Sequence, residues 1–491
     1  MNQFIICFSN NTWYSLNLSN NNFKEELLPI HGQYEYITFQ VTDFIRYLKS
    51  KKEKKVPKII DLESLEKQFL QSGKDILGDN KWHILKTLRR YEIIDSNYKI
   101  DCIETFLHKI KDFYLKVISS NNEENKRYNS IEIRVNEIIH ETSLKGIRID
   151  NELVIKKCEN LQYEIYKLKN IFQFEYNIFT PDKKETQFEY LRSKKYKILD
   201  SVENTISLQR KNDEVCNLFY ELIRAIKDFK SLIFMTSHYG GRERVHPYFI
   251  GFGSITSRVI VKEPSLQNLR KSNRDIIIPE RNKKLLYIDF SQFEAGILAH
   301  ISKDSKLIKL YNEEDIYSDI VKNALGKTPN EENRSNAKIL FYRYLYGDDF
   351  SSDKTIDKKK INTYFNKFTT LNTFKLNLIK ESKQNLIVKS IDGNHRIINE
   401  ENDNIWILSH HIQSIASYIF KKALIDVYNF YVGARLLIPL HDGALYEVYV
   451  WDYNDAEKKI KELFTKNFKK VCDSLEAKAE IKDFHSHVDL L

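Results

Sequence analysis

Two short apolar segments that each run into an aspartate place the strongest constraint on the fold of this chain. The segment LLYID (285–289) ends on Asp289, and the segment LLIPLHD (436–442) ends on Asp442. Short apolar runs bounded by polar residues predict buried β-strands. We therefore expect a sheet in which two strands each carry one carboxylate at their end.

Each aspartate also has a purely structural interpretation. The stretch SQFE (291–294), which follows Asp289, fits a capping box, in which Ser and Glu satisfy the free amides at a helix start. Asp442-Gly443 lies between two apolar runs in LLIPLHDGALYEVYV (436–450), which is a strong signal for the turn of a β-hairpin. These two segments alone leave both alternatives open.

A third stretch, RSNAKILFYRYLYG (334–347), predicts a helix with four aligned polar side chains. Arg334, Lys338, Tyr342 and Tyr346 recur at every fourth position and so lie on one face. The helix dipole disfavours cations near a helix start, so this order favours a bound anion such as a triphosphate. An amphipathic helix with two aromatic core residues is the alternative.

Phosphoryl transfer would give the two aspartates a joint role. In such sites carboxylates bridge two magnesium ions, of which one activates the attacking hydroxyl and the other stabilises the leaving pyrophosphate. Asp289 and Asp442 have the residue type and the position at strand ends that this chemistry needs. The first strand would then end on an acid because that acid is a metal ligand.

The stretch TSRVIVKEPSLQNLRK (256–271) supplies hydrogen-bond donors in a loop-rich segment. Arg258, Gln267 and Asn268 could reach the acceptors that all base pairs present in the minor groove of DNA. Such contacts would test the shape of a base pair without reading its sequence. A polar loop surface is the alternative interpretation.

Composition and charge narrow the class of protein. The net charge of +9 permits a polyanionic partner without requiring one. The five cysteines are scattered with no C-x-x-C pair, which predicts an intracellular protein rather than a disulfide framework or zinc site. We find no signal peptide and no apolar run near the roughly 18 residues of a membrane span. We therefore expect a cytoplasmic protein without membrane contact.

Taken in chain order, these stretches are similar to the signature of family A, the DNA polymerase I-like DNA polymerases. LYIDFSQFEAGILAHISKD resembles the family's motif A, RSNAKILFYRYLYG its motif B, and LLIPLHDGALYEV its motif C. TSRVIVKEPSLQNLRK resembles the segment before motif A, which touches the minor groove of the primer–template. The resemblance covers roughly residues 130–491, with a weaker match at KSIDGNHRII (389–398).

The resemblance implies a role for each matching residue. Asp289 and Asp442 would hold the catalytic metals, and Arg334 and Lys338 would bind the triphosphate. Glu294 would exclude a ribose 2′-OH. The further matches are Gln292, Tyr342 and Tyr346 around the nucleotide, and Arg258, Gln267, Asn268, Gln413 and His441 around the DNA.

The resemblance also implies an α/β (α+β) fold shaped like a right hand, with thumb, fingers and a palm built on an antiparallel sheet. We expect a degenerate, inactive 3′–5′ exonuclease-like domain before it. The expected boundaries are 1–128 for the exonuclease-like domain, 129–245 for the thumb and start of the palm, 246–304 for the palm with motif A, 305–400 for the fingers with motif B, and 401–491 for the palm with motif C.

The N-terminal region carries only part of a nuclease site. A proofreading exonuclease needs four acids to hold two metals, whereas this region supplies Asp61 and Glu63 in IIDLES and Asp95 in YEIID. We therefore interpret it as a truncated domain without nuclease activity. The polar segment SSNNEENKRYN (119–129) is interpreted as the linker that follows it.

Several residues depart from the family pattern. Gly443 replaces the common glutamate of motif C, Gly296 replaces an arginine in the motif A helix, and Tyr317 replaces a histidine near the triphosphate. Tyr342, where many members have Phe, is the phage-type residue and is associated with poor discrimination against dideoxynucleotides. The family A polymerases that this chain resembles therefore include those of the phage or plasmid type.

Together these features predict a monomeric, template-directed DNA polymerase without proofreading. It would add dNTPs to the 3′-OH of primer–template DNA with two Mg²⁺ ions, or with Mn²⁺ as the alternative ion, in replication or repair. Two alternatives stay open: a polymerase-like nucleic-acid-binding protein with little or no catalysis, and a relative of single-subunit RNA polymerases or reverse transcriptases. Glu294 argues against an RNA polymerase.

Overall fold

The structure is a computed structural model, and it describes residues 2–25, 33–70, 82–198, 201–236, 243–345, 347, 357–398 and 406–485. Over these ranges the chain forms an N-terminal α/β unit, a helical bundle, a four-stranded antiparallel sheet and a group of helices beside that sheet. Of the helices that the structure describes, none combines the length and the apolar character that crossing a membrane requires.

The N-terminal unit is built on a mixed five-stranded sheet in the order β3-β2-β1-β4-β5, in which β4 lies parallel to both β1 and β5. The strands are β1 (Asn2–Ser9), β2 (Thr12–Asn17), β3 (Phe23–Lys24), β4 (Tyr34–Thr38) and β5 (Lys58–Asp61). The helices are α1 (Val41–Ser50), α2 (Leu62–Leu70), α3 (Ile84–Arg90) and α4 (Ile103–Ser120).

The central position of β1 explains the apolar run near the start of the sequence. Successive side chains of a strand point to opposite faces of the sheet. Ile5 and Cys7 pack in the core that includes α4, whereas Phe4 and Ile6 pack in the core that includes α1. Because both faces are covered, β1 needs apolar residues at consecutive positions.

The polar segment 119–129 is helical, so its interpretation as a linker was wrong. It contains α5 (Asn122–Arg127), which continues through one π turn (Tyr128–Glu132) into α6 (Ile133–Lys145). The Asn121 side chain caps α5 by accepting a hydrogen bond from the Glu124 N–H at 3.0 Å. The composition misleads here because Glu124 and Arg127 are buried as an ion pair.

A bundle of four helices follows: α7 (Asn151–Tyr176), α8 (Lys184–Ser193), α9 (Val202–Gln209) and α10 (Glu214–Ile233). Asp150 caps α7 by accepting from the Leu153 N–H at 3.0 Å, and Asn177 ends it in the left-handed conformation. The rings of Phe172 and Phe219 lie 4.5 Å apart in the core between α7 and α10.

The four-stranded antiparallel sheet occupies the centre of the remaining chain, in the order β13-β14-β10-β15. Its strands are β10 (Lys283–Phe290), β13 (Arg435–Pro439), β14 (Gly443–Tyr449) and β15 (Ala479–Lys482). In the register of β10 with β14, Leu286 pairs with Tyr446 and Ile288 with Ala444. All four side chains are buried, and the helices α11 (Phe293–Ser302), α17 (Trp406–Phe430) and α18 (Tyr453–Lys469) complete this core.

The helices beside the sheet are α12 (Ser305–Glu313), α13 (Ile316–Asn323), α14 (Glu331–Leu345), α15 (Lys358–Asn366) and α16 (Thr369–Asn385). The short strands form three two-stranded antiparallel sheets: β6 (Ile147–Arg148) with β7 (Arg244–Val245), β8 (Tyr248–Ile250) with β9 (Ile260–Lys262), and β11 (Ile387–Lys389) with β12 (His395–Ile397). The helix predicted over RSNAKILFYRYLYG is confirmed as α14 through Leu345.

Gly296, which departs from the family pattern, lies in the interior of α11 against Tyr311 of α12. A Cβ atom at this position would lie 2.7 Å from Cε2 of the Tyr311 ring. Tyr311 is fully buried, so the ring has no room to withdraw. The close approach of α12 to α11 therefore requires glycine at a position where helix propensity alone would favour another residue.

We expect Gly296→Ala to destabilise the protein by about 1 kcal/mol, because overpacking against Tyr311 outweighs the gain in helix propensity. The measurement is the urea concentration at the midpoint of unfolding. In a Tyr311→Leu background, which opens space for the new methyl group, the same substitution should cost nothing further. A higher midpoint for Gly296→Ala in the wild-type background would contradict this account.

Candidate active site

The two acids predicted from the sequence lie beside each other at one end of the central sheet. Asp289, next to last in β10, faces Gly443 across the β10–β14 pair. The Phe290 N–H donates to the carbonyl oxygen of Asp442 at 2.9 Å, which fixes the hairpin turn against the end of β10. The hairpin predicted over 436–450 is confirmed, with Asp442 in its turn.

Gly443 allows this close approach. A Cβ atom on Gly443 would lie 2.8 Å from Oδ1 of Asp289 and closer still to the carbonyl oxygen of Ile288. The carbonyl oxygen of Ile288 cannot move freely, because it belongs to the backbone of the paired strand β10. The absence of a side chain at 443 therefore goes with the close approach of the hairpin turn to the end of β10, and a glutamate would require this backbone to shift.

The surroundings of the Asp442 carboxyl group disfavour its charged form. Its Oδ1 is buried and accepts no hydrogen bond from any residue in the described part of the chain. Burial raises the pKa of Asp442 above its usual range, and while Arg258 opposes this shift, Asp289 adds to it. A buried, unpartnered carboxylate oxygen beside a second carboxylate has the chemistry of a cation ligand.

The described residues contain no group of three or more Asp, Glu, His or Cys side chains arranged to hold a metal ion. At the end of the sheet the protein therefore supplies two carboxylates, those of Asp289 and Asp442, as possible ligands. Mg²⁺ binds through one or two carboxylates and takes its other ligands from water and from substrate phosphates. The two acids fit such an ion.

Lys482, which the sequence analysis did not single out, forms an ion pair with Asp289. Its Nζ lies 2.6 Å from Oδ2 of Asp289, and the two side chains are 40% and 21% exposed. Lys482 belongs to β15, the other neighbour of β10, where Glu480 pairs with Asp289 in the strand register. The sequence carries no signal for this contact, because which strand lies beside β10 is decided by the sheet order.

The stretch SQFE does not form the capping box that one interpretation of the sequence allowed. Helix α11 begins at Phe293, and its N-cap, Gln292, has a left-handed backbone and makes no hydrogen bond that caps the helix. The Gln292 Oε1 instead accepts from the Ile316 N–H at 2.9 Å, which ties α11 to α13. Glu294 is buried and forms an ion pair with Arg258.

Helix α14 carries Arg334, Lys338 and Tyr342 on one face, as predicted. Arg334 is bound in two hydrogen bonds to Asp315, from Nε to Oδ2 at 2.7 Å and from Nη2 to Oδ1 at 3.1 Å. Its guanidinium also lies over the ring of Tyr317, 5.2 Å from the centroid. Although burial opposes it, the Arg334 guanidinium holds the pKa of Asp315 below its usual range.

Lys338 is exposed one turn further along α14, and its charge acts on Asp442. Tyr342 is half-buried, and burial together with nearby Tyr317 and Glu294 raises the pKa of its hydroxyl. The stripe on α14 therefore faces the acids at the end of the sheet. The fourth member of the stripe, Tyr346, lies outside the described residues.

The residues predicted on the DNA side divide into two groups. The Gln267 amide is used within the protein, because its Nε2 donates to the carbonyl oxygens of Val259 and Pro439 while its Oε1 accepts from the Val261 N–H. Asn268 is exposed and donates to the Ser265 hydroxyl at 2.8 Å. The Gln267 contacts link the segment before β10 to the hairpin that carries Asp442.

The other group comprises His441, Gln413 and Arg258. His441 precedes Asp442 in the hairpin turn; partial burial of its ring and the charge of Arg258 lower its pKa, while Asp442 opposes this. Gln413 is half-buried on α17, one turn before Ser417, whose hydroxyl donates to the carbonyl oxygen of Ser257 at 2.6 Å. Gln413 therefore lies one helical turn from the contact between α17 and the residue that precedes Arg258.

The acids of the N-terminal unit are not assembled into a site in the described structure. Asp61 is buried at the end of β5 and caps α2, accepting from the Glu63 N–H at 3.0 Å and from the Ser64 hydroxyl at 2.7 Å. Glu63 pairs with Lys67 on the same helix. Asp95 is exposed in a turn, where it accepts from the Asn97 N–H at 3.1 Å.

The profile that describes DNA polymerase family A matches residues 150–483 of this chain. Curated relatives include the DNA polymerase I proteins of Caldicellulosiruptor bescii, 27% identical over 75% of this chain and 48% of the relative, and Borreliella burgdorferi, 26% identical over 77% of this chain and 45% of the relative. The chain thus spans about half the length of the curated relatives it matches.

A solved structure extends the likeness to the fold. The polymerase domain of Pol1 from M. smegmatis, in complex with DNA primer-template and dNTP, superposes with a TM-score of 0.79 at 15% sequence identity. The match covers 97% of this chain and 94% of that chain, so it includes the N-terminal unit. The mixed α/β fold expected from the sequence is confirmed.

We expect Lys482→Met to strengthen binding of Mn²⁺ to the protein about threefold, because a partly exposed ion pair that competes with the ion contributes less than about 1 kcal/mol. The measurement is the concentration of free Mn²⁺ by electron paramagnetic resonance, without DNA or nucleotide. Lys482→Arg keeps the charge and serves as the control, which should bind as the wild type does. Equal affinity of Lys482→Met and wild type would contradict the proposed competition.

Proposed function

The chain belongs to DNA polymerase family A, and from this premise we propose that it catalyses template-directed addition of dNTPs to the 3′-OH of a DNA primer. The observation that carries the proposal is the placement of Asp289 and Asp442. They come from two paired elements of one sheet, and the Oδ1 of Asp442 is buried without a hydrogen bond from the described residues.

Asp289 and Asp442 would hold divalent cations, for which we propose two Mg²⁺ ions, with Mn²⁺ as the alternative ion. When bound, such ions supply the charge that activates an attacking hydroxyl and stabilises a leaving pyrophosphate. The protein contributes the rigidity of the two ligands. Asp289 belongs to a paired strand, and the backbone of Asp442 is held by the Phe290 N–H. Lys482 would leave the Asp289 carboxylate when an ion binds.

The stripe on α14 would bind the triphosphate of the incoming nucleotide. Arg334 already makes a bidentate contact with a carboxylate, and the same fork of donors suits a phosphate. Asp315 would therefore release Arg334 when the nucleotide binds. Lys338 supplies an exposed ammonium one turn away, and Tyr342 would stack on the nucleotide between them and Glu294.

Glu294 would set the preference for deoxyribose. It is buried at the start of α11 and fixed by Arg258, so its side chain cannot swing away from an added 2′-OH. Gln292, which ties α11 to α13, would hold this region in place. On the DNA side we propose Arg258 and Gln413 at the minor groove of the nascent base pair.

The remaining DNA contacts that we propose are His441, Asn268 and Gln267, the last mainly through its link to the hairpin. Tyr346 is proposed beside the templating base. We also propose residues 129–245 as thumb and start of the palm, 246–304 and 401–491 as palm, and 305–400 as fingers. The N-terminal unit, 1–128, is proposed to lack nuclease activity, since Asp61 and Glu63 serve to cap and stabilise α2.

Two observations favour a second candidate function. The ammonium group of Lys482 contacts the Asp289 carboxylate, to which a metal ion would bind, and motif C has no glutamate. Both features would suit a polymerase-like protein that binds nucleic acid with little catalysis. Extension of a labelled primer separates the two candidates, because only the polymerase lengthens it. Replacing dNTPs with rNTPs, or the DNA template with RNA, separates a DNA polymerase from its RNA polymerase and reverse transcriptase relatives.

We expect Asp442→Asn to lower the rate of primer extension with dNTPs by roughly a thousandfold or more, because loss of a metal ligand removes several kcal/mol of transition-state stabilisation. The measurement is single-turnover extension of a 5′-labelled primer. Asp473→Asn, a change of the same kind at an exposed side chain, is the matched control and should extend like wild type. Extension by Asp442→Asn at the wild-type rate would exclude Asp442 as a metal ligand.

We expect Glu294→Ala to reduce the preference for dNTPs over rNTPs by about tenfold to a hundredfold, which corresponds to roughly 1–3 kcal/mol of discrimination in a shaped pocket. The measurement is the ratio of kcat/KM for dCTP and CTP on one primer–template. Glu294→Gln keeps the side-chain volume and should retain most of the preference. An unchanged ratio in Glu294→Ala would argue that another residue excludes the ribose hydroxyl.

A further inference from the structure

A buried ion network connects the N-terminal unit to the proposed active site. Its first centre is Arg127, at the end of α5, whose side chain is 3% exposed. The guanidinium donates from Nε to Oε1 of Glu124 at 2.7 Å and from Nη1 to Oε1 of Glu132 at 2.9 Å. It also lies 3.4 Å from Oδ2 of Asp392, in the turn between β11 and β12.

The second centre of the network is Lys421 of α17, which is also fully buried. Its Nζ donates to Oε2 of Glu132 at 2.6 Å and to the hydroxyl of Ser257 at 2.7 Å. The Ser257 hydroxyl in turn donates to Oε1 of Glu132 at 2.9 Å. Glu132 thus joins the Arg127 centre to the Lys421 centre, and both cations lie over the ring of Phe252.

Ser257 is the residue on which this network acts. Its φ is +62°, the left-handed conformation that a non-glycine residue adopts at an energetic cost. Besides the two bonds of its hydroxyl, its carbonyl oxygen accepts from the Ser417 hydroxyl at 2.6 Å. Ser417 and Lys421 lie one turn apart on α17, so one helix face fixes both ends of this residue.

The direction of the chain at Ser257 decides where Arg258 points. The Arg258 N–H donates to the Ser254 hydroxyl at 3.1 Å, and its guanidinium pairs with Glu294. A change of Ser257 to an ordinary negative φ would rotate the following peptide and move the guanidinium away from Glu294. The network therefore controls the orientation of a side chain that it does not touch.

Stability alone does not account for this network. Buried charges lose their hydration, and well-packed apolar residues of similar volume often stabilise a protein as well or better. Burial by itself would raise the pKa of Glu132, yet Lys421 and Arg127 hold it below its usual range. Apolar residues cannot form hydrogen bonds with the hydroxyl of Ser257.

We propose that Arg127, Glu132 and Lys421 are positioning residues that hold Ser257 in its left-handed conformation and thereby aim Arg258 at the nascent base pair. The N-terminal unit then contributes to polymerisation through Arg127, although its acids are not assembled into a metal site in the described residues. This inference rests on the proposed polymerase function. It also explains why Glu124 and Arg127, in the polar segment 119–129, are buried.

A double-mutant cycle between Lys421→Met and Arg258→Ala tests the proposal, with kcat/KM for a correct dNTP as the readout. We expect Lys421→Met to lower kcat/KM by about tenfold in the wild-type background and by less than about twofold when Arg258 is already Ala, as coupled residues behave. Arg127→Met should show the same dependence on Arg258. Equal losses in both backgrounds would overturn the proposal, because the network would then act on the fold alone.

Controls separate the possible failures. Arg134→Met removes an exposed cation of α6 that pairs with Glu137, and it should leave kcat/KM unchanged. If wild type does not extend primers, the proposed function fails. If wild type extends and the cycle is additive, only this inference fails.

Ser257 offers a second test that removes no charge and so does not depend on the folding of Lys421→Met. Ser257→Ala and Ser257→Gly both lose the anchoring hydroxyl, but glycine adopts a positive φ without cost whereas alanine does not. We expect kcat/KM to fall at least about fivefold further in the alanine variant than in the glycine variant, as for a strained backbone position. Equal values in the two variants would overturn the role of the left-handed conformation.

Discussion

The antiparallel pairing of β10 with β14 is the interaction on which the rest of the site depends. It places Asp289 opposite Gly443, and so beside Asp442, with no side chain between the two strands at that point. Two carboxylates that lie beside each other repel unless a cation is near them. The hydrogen bond from Phe290 to Asp442 and the buried pairs of Leu286 and Ile288 hold them there.

The protein balances the charges of the site with its own residues. Asp289 is paired with Lys482, Arg334 with Asp315, and Glu294 with Arg258. Each pair joins two different elements, so each also fixes the relative position of a strand, a helix or a loop. In the proposed function, the first two pairs would exchange their partner for a metal ion or a triphosphate. The pair of Glu294 and Arg258 would persist, because the proposed function requires both side chains in their present positions.

The N-terminal unit has a structural role in the described residues, although its acids are not assembled into a metal site there. Residues 4–8 of its central strand are apolar, and two buried cores cover the two faces of its sheet. Helix α5, which follows α4, places the buried Arg127 between Glu124 and Glu132, and Glu132 is shared with Lys421 of the helix that carries Gln413. Removing residues 1–128 would remove Arg127 and leave Glu132 and Asp392 buried, with Lys421 as the remaining cation of the described network.

The sequence by itself determined the strands that end near Asp289 and Asp442, the helix that carries Arg334, Lys338 and Tyr342, and the family to which they belong. These features are local, since apolar runs and helical spacing are set within a few residues. Only the tertiary structure decided that Lys482 contacts Asp289, that Asp315 binds Arg334, and that Glu124 and Arg127 are buried as an ion pair. Those contacts depend on strand order and on which helices meet, and a polar residue that is paired inside the protein looks in the sequence like one exposed to water.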